Sequence, residues 1–266
     1  MESLAAPRAQ ARTLPRTGYR LTLARTPAQL RAAQALRFMV FNLELHEGLA
    51  QSFETGLDAD RFDACCDHLL VEDAASGAVV GTYRLQTGAR AAQACGYYSA
   101  REFEFAPFEP LRTRLIELGR ACIHAEHRNF AVLNLLWNGI ADYAREHGAR
   151  WLIGCSSLTS QDAAVGAAAW QRLALHLAEP ALRTQPQPAF VCPLDPVTPQ
   201  PPKIPKLLAA YLALGAEICG PPAIDREFKT IDFLTVVDLE SDALRSLQRR
   251  GRFMGLTPTG PAAARR

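Results

Sequence analysis

The chain has 266 residues, 48% hydrophobic and 21% charged, and its 29 basic and 27 acidic side chains leave a net charge of +2. That is the composition of an ordinary globular protein, and the charge gives no footing for a nucleic-acid partner held by bulk positive potential. No run of 18 apolar residues is present to span a membrane, and the seven cysteines follow no repeated C-x-x-C spacing, which predicts reduced thiols in a cytoplasmic protein.

Residues 1–18 read as a basic tail, in which Pro7 and Pro15 oppose a long helix. A single domain is expected over 19–252, with a second tail over 253–266. Arg20 to Ala24 alternates as a first strand. Thr26, Pro27 and Gln29 then spell a helix start, with N-cap, first-turn proline and capping box. That helix is expected to reach about Leu45, and it puts Arg37, Phe41 and Glu44 on one face, apart from the apolar stripe of Leu36, Val40 and Leu43. Gly48 to Asp67 reads as an acidic loop. His68–Glu72 and Val79–Gln86 form paired strands, and a short helix is expected near Ser99. Leu115–His124 is a strand. Asn129 caps a helix to about His147, closed by Gly148. Trp151–Cys155 is a strand and 161–177 a helix. An edge strand is expected near Ala189–Cys192, within a proline-rich stretch. A helix over 203–214, a strand over 231–237 and a helix over 241–250 complete the chain. Hairpins first and crossovers later predict an α/β protein with a mixed central sheet flanked by helices.

The sequence lacks a G-x-G-x-x-G or Walker loop and a G-x-S-x-G elbow. His124 and His127 lack a third ligand at zinc spacing, so no metal site is predicted. The adjacent Cys65 and Cys66 read as packed thiols. In "LDADRFDACCDHL" (57–69), Asp58, Asp60, Asp63 and Asp67 repel one another unless they meet cations. They either hold a substrate ammonium or pair with arginines. Arg84 is a charge inside the apolar strand "VVGTYRL". Glu117, Gly119 and Arg120 interrupt the strand "LIELGRACIH". In a regular strand Glu117 and Arg120 face opposite ways. A bulge at Gly119 would turn both to one side and free backbone N–H groups. A buried ion pair that merely orders the strand is the other reading.

Taken together, "AQALRFMVF" (33–41), "DADRFDACCDHLLV" (58–71), "VVGTYRL" (79–85), Tyr97-Tyr98-Ser99, "IELGRACI" (116–123), "LLWNGIADY" (135–143) and "LLAAYLALGAEICGPPAIDREFKTIDF" (207–233) resemble the L-ornithine Nα-acyltransferases of bacterial ornithine-lipid synthesis, a hemolysin-like branch of the GNAT acyltransferases. The resemblance covers about residues 20–237. It implies a splayed, bulged middle strand and transfer of a 3-hydroxyacyl group from acyl carrier protein to the α-amine of ornithine, giving lyso-ornithine lipid. It implies no cofactor, the acyl-carrier thioester on 4′-phosphopantetheine being a co-substrate. Glu117 and Arg120 are then the expected catalytic pair, with Glu117 as base. Arg37, Phe41, Asp60, Asp63 and Arg84 are expected to bind the amino acid. The glycine-rich pyrophosphate loop of coenzyme A users is replaced by "HAEHRNFAVLN", which points to Arg128 and Asn129 as the seat of a single phosphate. The acyl tail is expected near Phe103, Phe105 and Trp137. The basic stretches "PPKIPK" and "RSLQRRGR" suit an acidic carrier protein, and an amphipathic product suits peripheral contact with the inner membrane. A long-chain N-acyl amino acid synthase or acyl-homoserine-lactone synthase is the nearest alternative, and an idle lipid- or carrier-binding scaffold the second. The segment 180–237 makes the chain longer than a lactone synthase usually is.

Overall fold

Thr26 and Gln29 form the reciprocal cap that their spacing predicts. In the computed structural model, which describes residues 18–198 and 202–249, the Thr26 hydroxyl accepts from Gln29 N–H, and the Gln29 side chain accepts from Thr26 N–H. Helix α1 (Pro27–Phe38) starts there and continues as a wider π-helical turn, Met39–Glu44. The predicted tails lie outside the described residues, apart from Gly18.

The strands are β1 (Tyr19–Leu23), β2 (Asp67–Asp73), β3 (Val79–Thr87), β4 (Leu115–Ile123), β5 (Trp151–Leu158), β6 (Glu217–Ile218), β7 (Ala223–Asp225) and β8 (Thr230–Asp238). They form one sheet in the order β1-β2-β3-β4-β5-β8-β6, with β7 also on β8. Every pairing is antiparallel except β4 with β5. The GNAT-like mixed sheet expected from the resemblance is therefore present. The remaining helices are α2 (Ser52–Thr55), α3 (Gly88–Gln93), α4 (Phe130–Glu146), α5 (Ala163–Leu173), α6 (Lys206–Ala213) and α7 (Asp242–Arg249). Asn129 caps α4 by accepting from Val132 N–H. The apolar face of α4 (Val132, Leu136, Ile140) is buried against Leu69, Val71 and Leu85 of the sheet. The opposite side carries an aromatic cluster of Tyr97, Phe103, Phe105 and Phe108.

Some boundaries differ from expectation. The helix over 161–177 shortens to α5, capped by Asp162 and followed by a 3₁₀ turn at Ala174–His176. In place of an edge strand at Ala189–Cys192 there is a 3₁₀ turn, Pro188–Phe190, and a single bridge from Val191 to Ala223. Pro188 and Pro193 bracket this stretch and supply no N–H for a longer ladder. Cys65 and Cys95 are joined by a disulfide, so the expectation of seven free thiols is corrected. The bridge ties the 3₁₀ turn Arg61–Ala64 to the loop after α3. Cys66 is buried and free.

Strand β4 runs parallel to β5 only at Leu115–Glu117 against Trp151–Ile153; beyond that point the two strands pair no further. Gly154 sits where they part. A Cβ there would stand 2.3 Å from the Leu118 carbonyl oxygen. Gly154→Ala is therefore expected to force the strands apart and destabilise the fold by about 1–3 kcal/mol. Thermal unfolding should register this as a drop of roughly 2–4 °C per kcal/mol; an unchanged melting temperature would show that the gap widens freely.

Candidate active site

The parting of β4 and β5 opens a cavity of about 330 Å³. Its lining comes from both faces of the sheet. Glu47, Arg84, Tyr98, Glu117, Arg120, Thr159 and Asp232 make a polar side, and Leu118, Trp137, Leu207, Leu208, Tyr211 and Val237 an apolar one.

The expected irregularity in β4 exists, one position later than its glycine suggests. Gly119 stays in register opposite Arg84, while Thr82 pairs with Cys122. One residue of β3, Tyr83, thus faces two of β4, which puts the extra residue at Arg120–Ala121. Arg120 itself takes the left-handed conformation, φ 50°. A Cβ at Gly119 would meet Arg84 Nε at an ordinary contact distance of 3.9 Å, so space alone does not call for glycine there.

Glu117 and Arg120 line the same cavity but form no ion pair with each other among the described contacts. Arg120 reaches Asp58 (3.3 Å) and Asp60 (3.2 Å). Its guanidinium also lies between the Tyr98 and Phe228 rings, 4.8 and 4.2 Å from their centroids, a favourable cation–π arrangement. Glu117 is 5% exposed and accepts from the backbone N–H groups of Tyr98 and Ser99, each at 2.8 Å. Burial raises its carboxyl above the ordinary range, and those N–H groups partly offset it.

The four aspartates of the acidic segment divide their work. Arg37 is fully buried and donates to Asp63 at 2.6 Å and to the Asp58 carbonyl, with the Asp58 carboxylate 3.7 Å away. Arg84 donates to Asp60 at 2.7 Å and to Asp63 at 3.0 Å. Gln34 adds a hydrogen bond to Asp63. Asp67 lies apart, bound by Arg90 and Tyr143. Burial opposes ionisation of Asp63, but Arg37 and Arg84 hold its carboxyl well below the usual range; Arg84 and Arg120 do the same for Asp60. Of the two readings of this segment, pairing with arginines is the one the structure contains. Arg37, Asp58, Asp60 and Asp63 do not line the cavity, whereas Phe41, Arg84 and Arg120 do. The network fixes residues 58–63 against β3 and β4, and its three guanidinium charges meet three carboxylates.

Arg128 and Asn129 are not in the cavity lining. Arg128 grips Glu44 with both terminal nitrogens, and Asn129 is occupied as the cap of α4. Of the expected tail-binding aromatics only Trp137 lines the cavity; Phe103 and Phe105 are packed into the separate aromatic cluster. Cys122 is buried among Leu36, Val40 and Phe228 and burial pushes its thiol up, so it offers no nucleophile.

Three cavity groups escaped the sequence reading. Glu47, between the expected helix and the stretch read as loop, is 6% exposed and accepts from the Thr159 hydroxyl at 2.7 Å. Burial pushes its carboxyl up to about 7, against the Thr159 hydrogen bond, and Asp232 pushes it further the same way. Tyr98 covers Arg120 and donates to Asp225. Asp232, in an apolar strand, was legible in principle as a lone charge within "TIDFLTV", the same signal that marked Arg84.

Residues 36–138 match the family model described as an acetyltransferase (GNAT) domain. The L-ornithine Nα-acyltransferase of Rhodobacter capsulatus is 35% identical over 240 residues, covering 84% of this chain and 91% of that protein. That of Brucella abortus is 34% identical, covering 86% and 87%. The chain belongs to the L-ornithine Nα-acyltransferase family. It is an acyltransferase by that membership. Its fold is shared with the acyl-homoserine-lactone synthase LasI (TM-score 0.53, 14% identity, 91% of this chain and 98% of that one). It is shared equally with FeeM, an N-acyl amino acid synthase from uncultured soil microbes (TM-score 0.53, 13% identity, 89% and 97%). Among the described residues no helix is long and apolar enough to cross a membrane.

Proposed function

We propose that this member of the L-ornithine Nα-acyltransferase family moves a 3-hydroxyacyl group from the thioester of an acyl carrier protein to the α-amine of L-ornithine, giving a lyso-ornithine lipid. The observation that carries the reading is the cavity through the parted strands, polar on one side and apolar on the other. The thioester enters the gap between β4 and β5. The acyl chain lies along Leu118, Trp137, Leu207, Leu208, Tyr211 and Val237. The amino acid occupies the polar side, under Tyr98.

Glu117 takes the proton that the α-ammonium must lose. Two backbone N–H groups fix its orientation, and burial raises its proton affinity, which suits a general base. The amine attacks the thioester carbonyl, and the resulting oxyanion lies against backbone N–H groups freed at the Arg120–Ala121 bulge. Collapse of the intermediate breaks the C–S bond, forms the amide and releases the pantetheine thiol. Arg84 and Arg120 shape this wall while paired to Asp60, so they position the site rather than grip the acceptor's carboxylate alone. The arm's single phosphate sits at the N-terminus of α4, where Arg128 exchanges Glu44 for it. The exposed Lys203 and Lys206 flank the cavity-lining Pro205 and Leu207, and they offer positive charge to an acidic carrier beside the apolar mouth. Contact of this surface with an anionic membrane follows the same logic.

The test is thiol release from 3-hydroxyacyl carrier protein, with and without L-ornithine, alongside the matching coenzyme A thioester. Release that depends on ornithine, with the N-acyl product found by mass, is expected; release independent of any amine overturns the reading. Preference for glycine would instead favour the N-acyl amino acid synthase.

A further inference from the structure

With Arg37, Arg84 and Arg120 matched against Asp58, Asp60 and Asp63 outside the cavity lining, the carboxyl groups of the cavity wall form no ion pair among the described residues. Glu47, Glu117 and Asp232 line the cavity. Glu102 and Asp225 stand behind Asp232, and one oxygen from each of these three lies within 4.8 Å of the others. Arg101, the other nearby cation, is bound to Glu227.

Their hydrogen bonds show where a donor is lacking. Asp225 is satisfied: one oxygen accepts from the N–H groups of Glu227 and Phe228, the other from Tyr98 Oη. That argues against a three-carboxylate metal site, since its ligand atoms are already spent on the protein. Asp232 is 3% exposed; its Oδ2 accepts from the Thr230 hydroxyl, and Ser157 also faces the carboxylate. Asp232 Oδ1 and Glu102 Oε1 are buried and accept from no N–H or hydroxyl among the described residues; the two carboxyl groups instead hydrogen-bond each other, sharing a proton. Glu47 uses one oxygen on Thr159. Thr159 follows β5 directly, and Ser157 pairs in register with Asp232 on β8. The two carboxylates are thus brought together by neighbouring strand ends.

We propose that Glu47 and Asp232, with Glu102 behind them, hold the side-chain ammonium of the acceptor and thereby select diamino acids over neutral ones. This rests on the reading of the cavity as the acceptor's site. An ammonium brings three N–H donors and a positive charge. The second Glu47 oxygen has no partner among the described contacts, and the Asp232–Glu102 pair beside it supplies negative charge for the ammonium to balance. Glu117, also in the cavity lining, is left for the α-amine. A neutral amino acid would leave this buried charge unmatched, which is how a polar pocket rejects an analogue lacking the expected group.

The test compares L-ornithine with L-norvaline, which has the same carbon chain and no terminal amine. The native protein is expected to favour ornithine in kcat/KM by about 100-fold or more. Glu47→Gln and Asp232→Asn are each expected to reduce that ratio by about tenfold or more. Variants that lower both substrates equally and keep the ratio overturn the proposal, because a purely structural role acts on both alike. Calorimetric binding of the two amino acids to the same proteins separates this inference from the reaction itself. Glu47-dependent preference for ornithine without turnover supports the subsite and sinks the acyl-transfer reading. Equal affinity, or equal turnover, of ornithine and norvaline in the native protein sinks the subsite and leaves acyl transfer standing.

Discussion

Glu117→Gln is expected to lower kcat by about 10²–10⁴-fold, the usual contribution of a general base, with a much smaller effect on KM. The amide keeps the volume of the carboxyl but cannot take the proton of the acceptor. It also turns an NH₂ group toward one of the two backbone N–H donors of Tyr98 and Ser99. That leaves a buried donor unmatched, at a cost of about 1–3 kcal/mol. The pH profile distinguishes the two consequences. In the native protein activity should rise with pH through a titration above the ordinary glutamate range, since burial raises this carboxyl. The variant's residual rate should lose that rise. If kcat stays within twofold of native while the melting temperature drops, Glu117 is a clamp on the Tyr98–Ser99 turn and the base lies elsewhere.

Arg37→Met should produce the largest loss of stability. Its guanidinium is fully buried, and removing it leaves Asp58 and Asp63 without their shared cation. Breaking a buried pair from one side costs about 3–5 kcal/mol. Adding Asp63→Asn should recover part of that loss, and the coupling can be read from a double-mutant cycle by denaturant unfolding. Acid sensitivity should follow. Asp60 and Asp63 are held below the usual aspartate range. Their contribution is therefore present above the unfolded value near pH 4 and is lost as the pH falls below it. Arg37→Met should flatten that acid slope. Equal stability of the native protein and the variant would mean that Arg84 and Arg120 neutralise the segment without Arg37.

Local signals carried well from sequence to structure. The Thr26–Gln29 cap and the Asn129 cap join residues three apart, so the chain spells them out. The apolar runs of β2, β3 and β4 were equally plain. The charges at 84, 117 and 120 stood out because an apolar run does not carry a charge idly, and those at 60 and 63 because carboxylates so close together call for cations. Which charge meets which depends on how residues 58–63 lie across β3 and β4, and spacing says nothing of that. The bulge falls on Arg120 rather than Gly119 because the Asp58–Asp60 pairs and the two aromatic rings hold that residue in place. Glu47 was hidden for a different reason. Its meaning comes from Thr159 and Asp232, over a hundred residues away, and a lone glutamate in a polar stretch has the look of solvated surface.

The parting of β4 and β5 has one more consequence. The two strands meet at one end only, so the gap is a slot with an open mouth rather than a closed hole. On the proposed reading, head and tail of the finished amphiphile lie on opposite sides of the sheet, a geometry from which nothing threaded through a ring could be released whole. Here the product can slide out sideways toward the ends of the two strands, like a card drawn from a cleft stick. Neither reactant blocks the other's way in, so both can be aboard at once, and transfer needs no stopover on the protein.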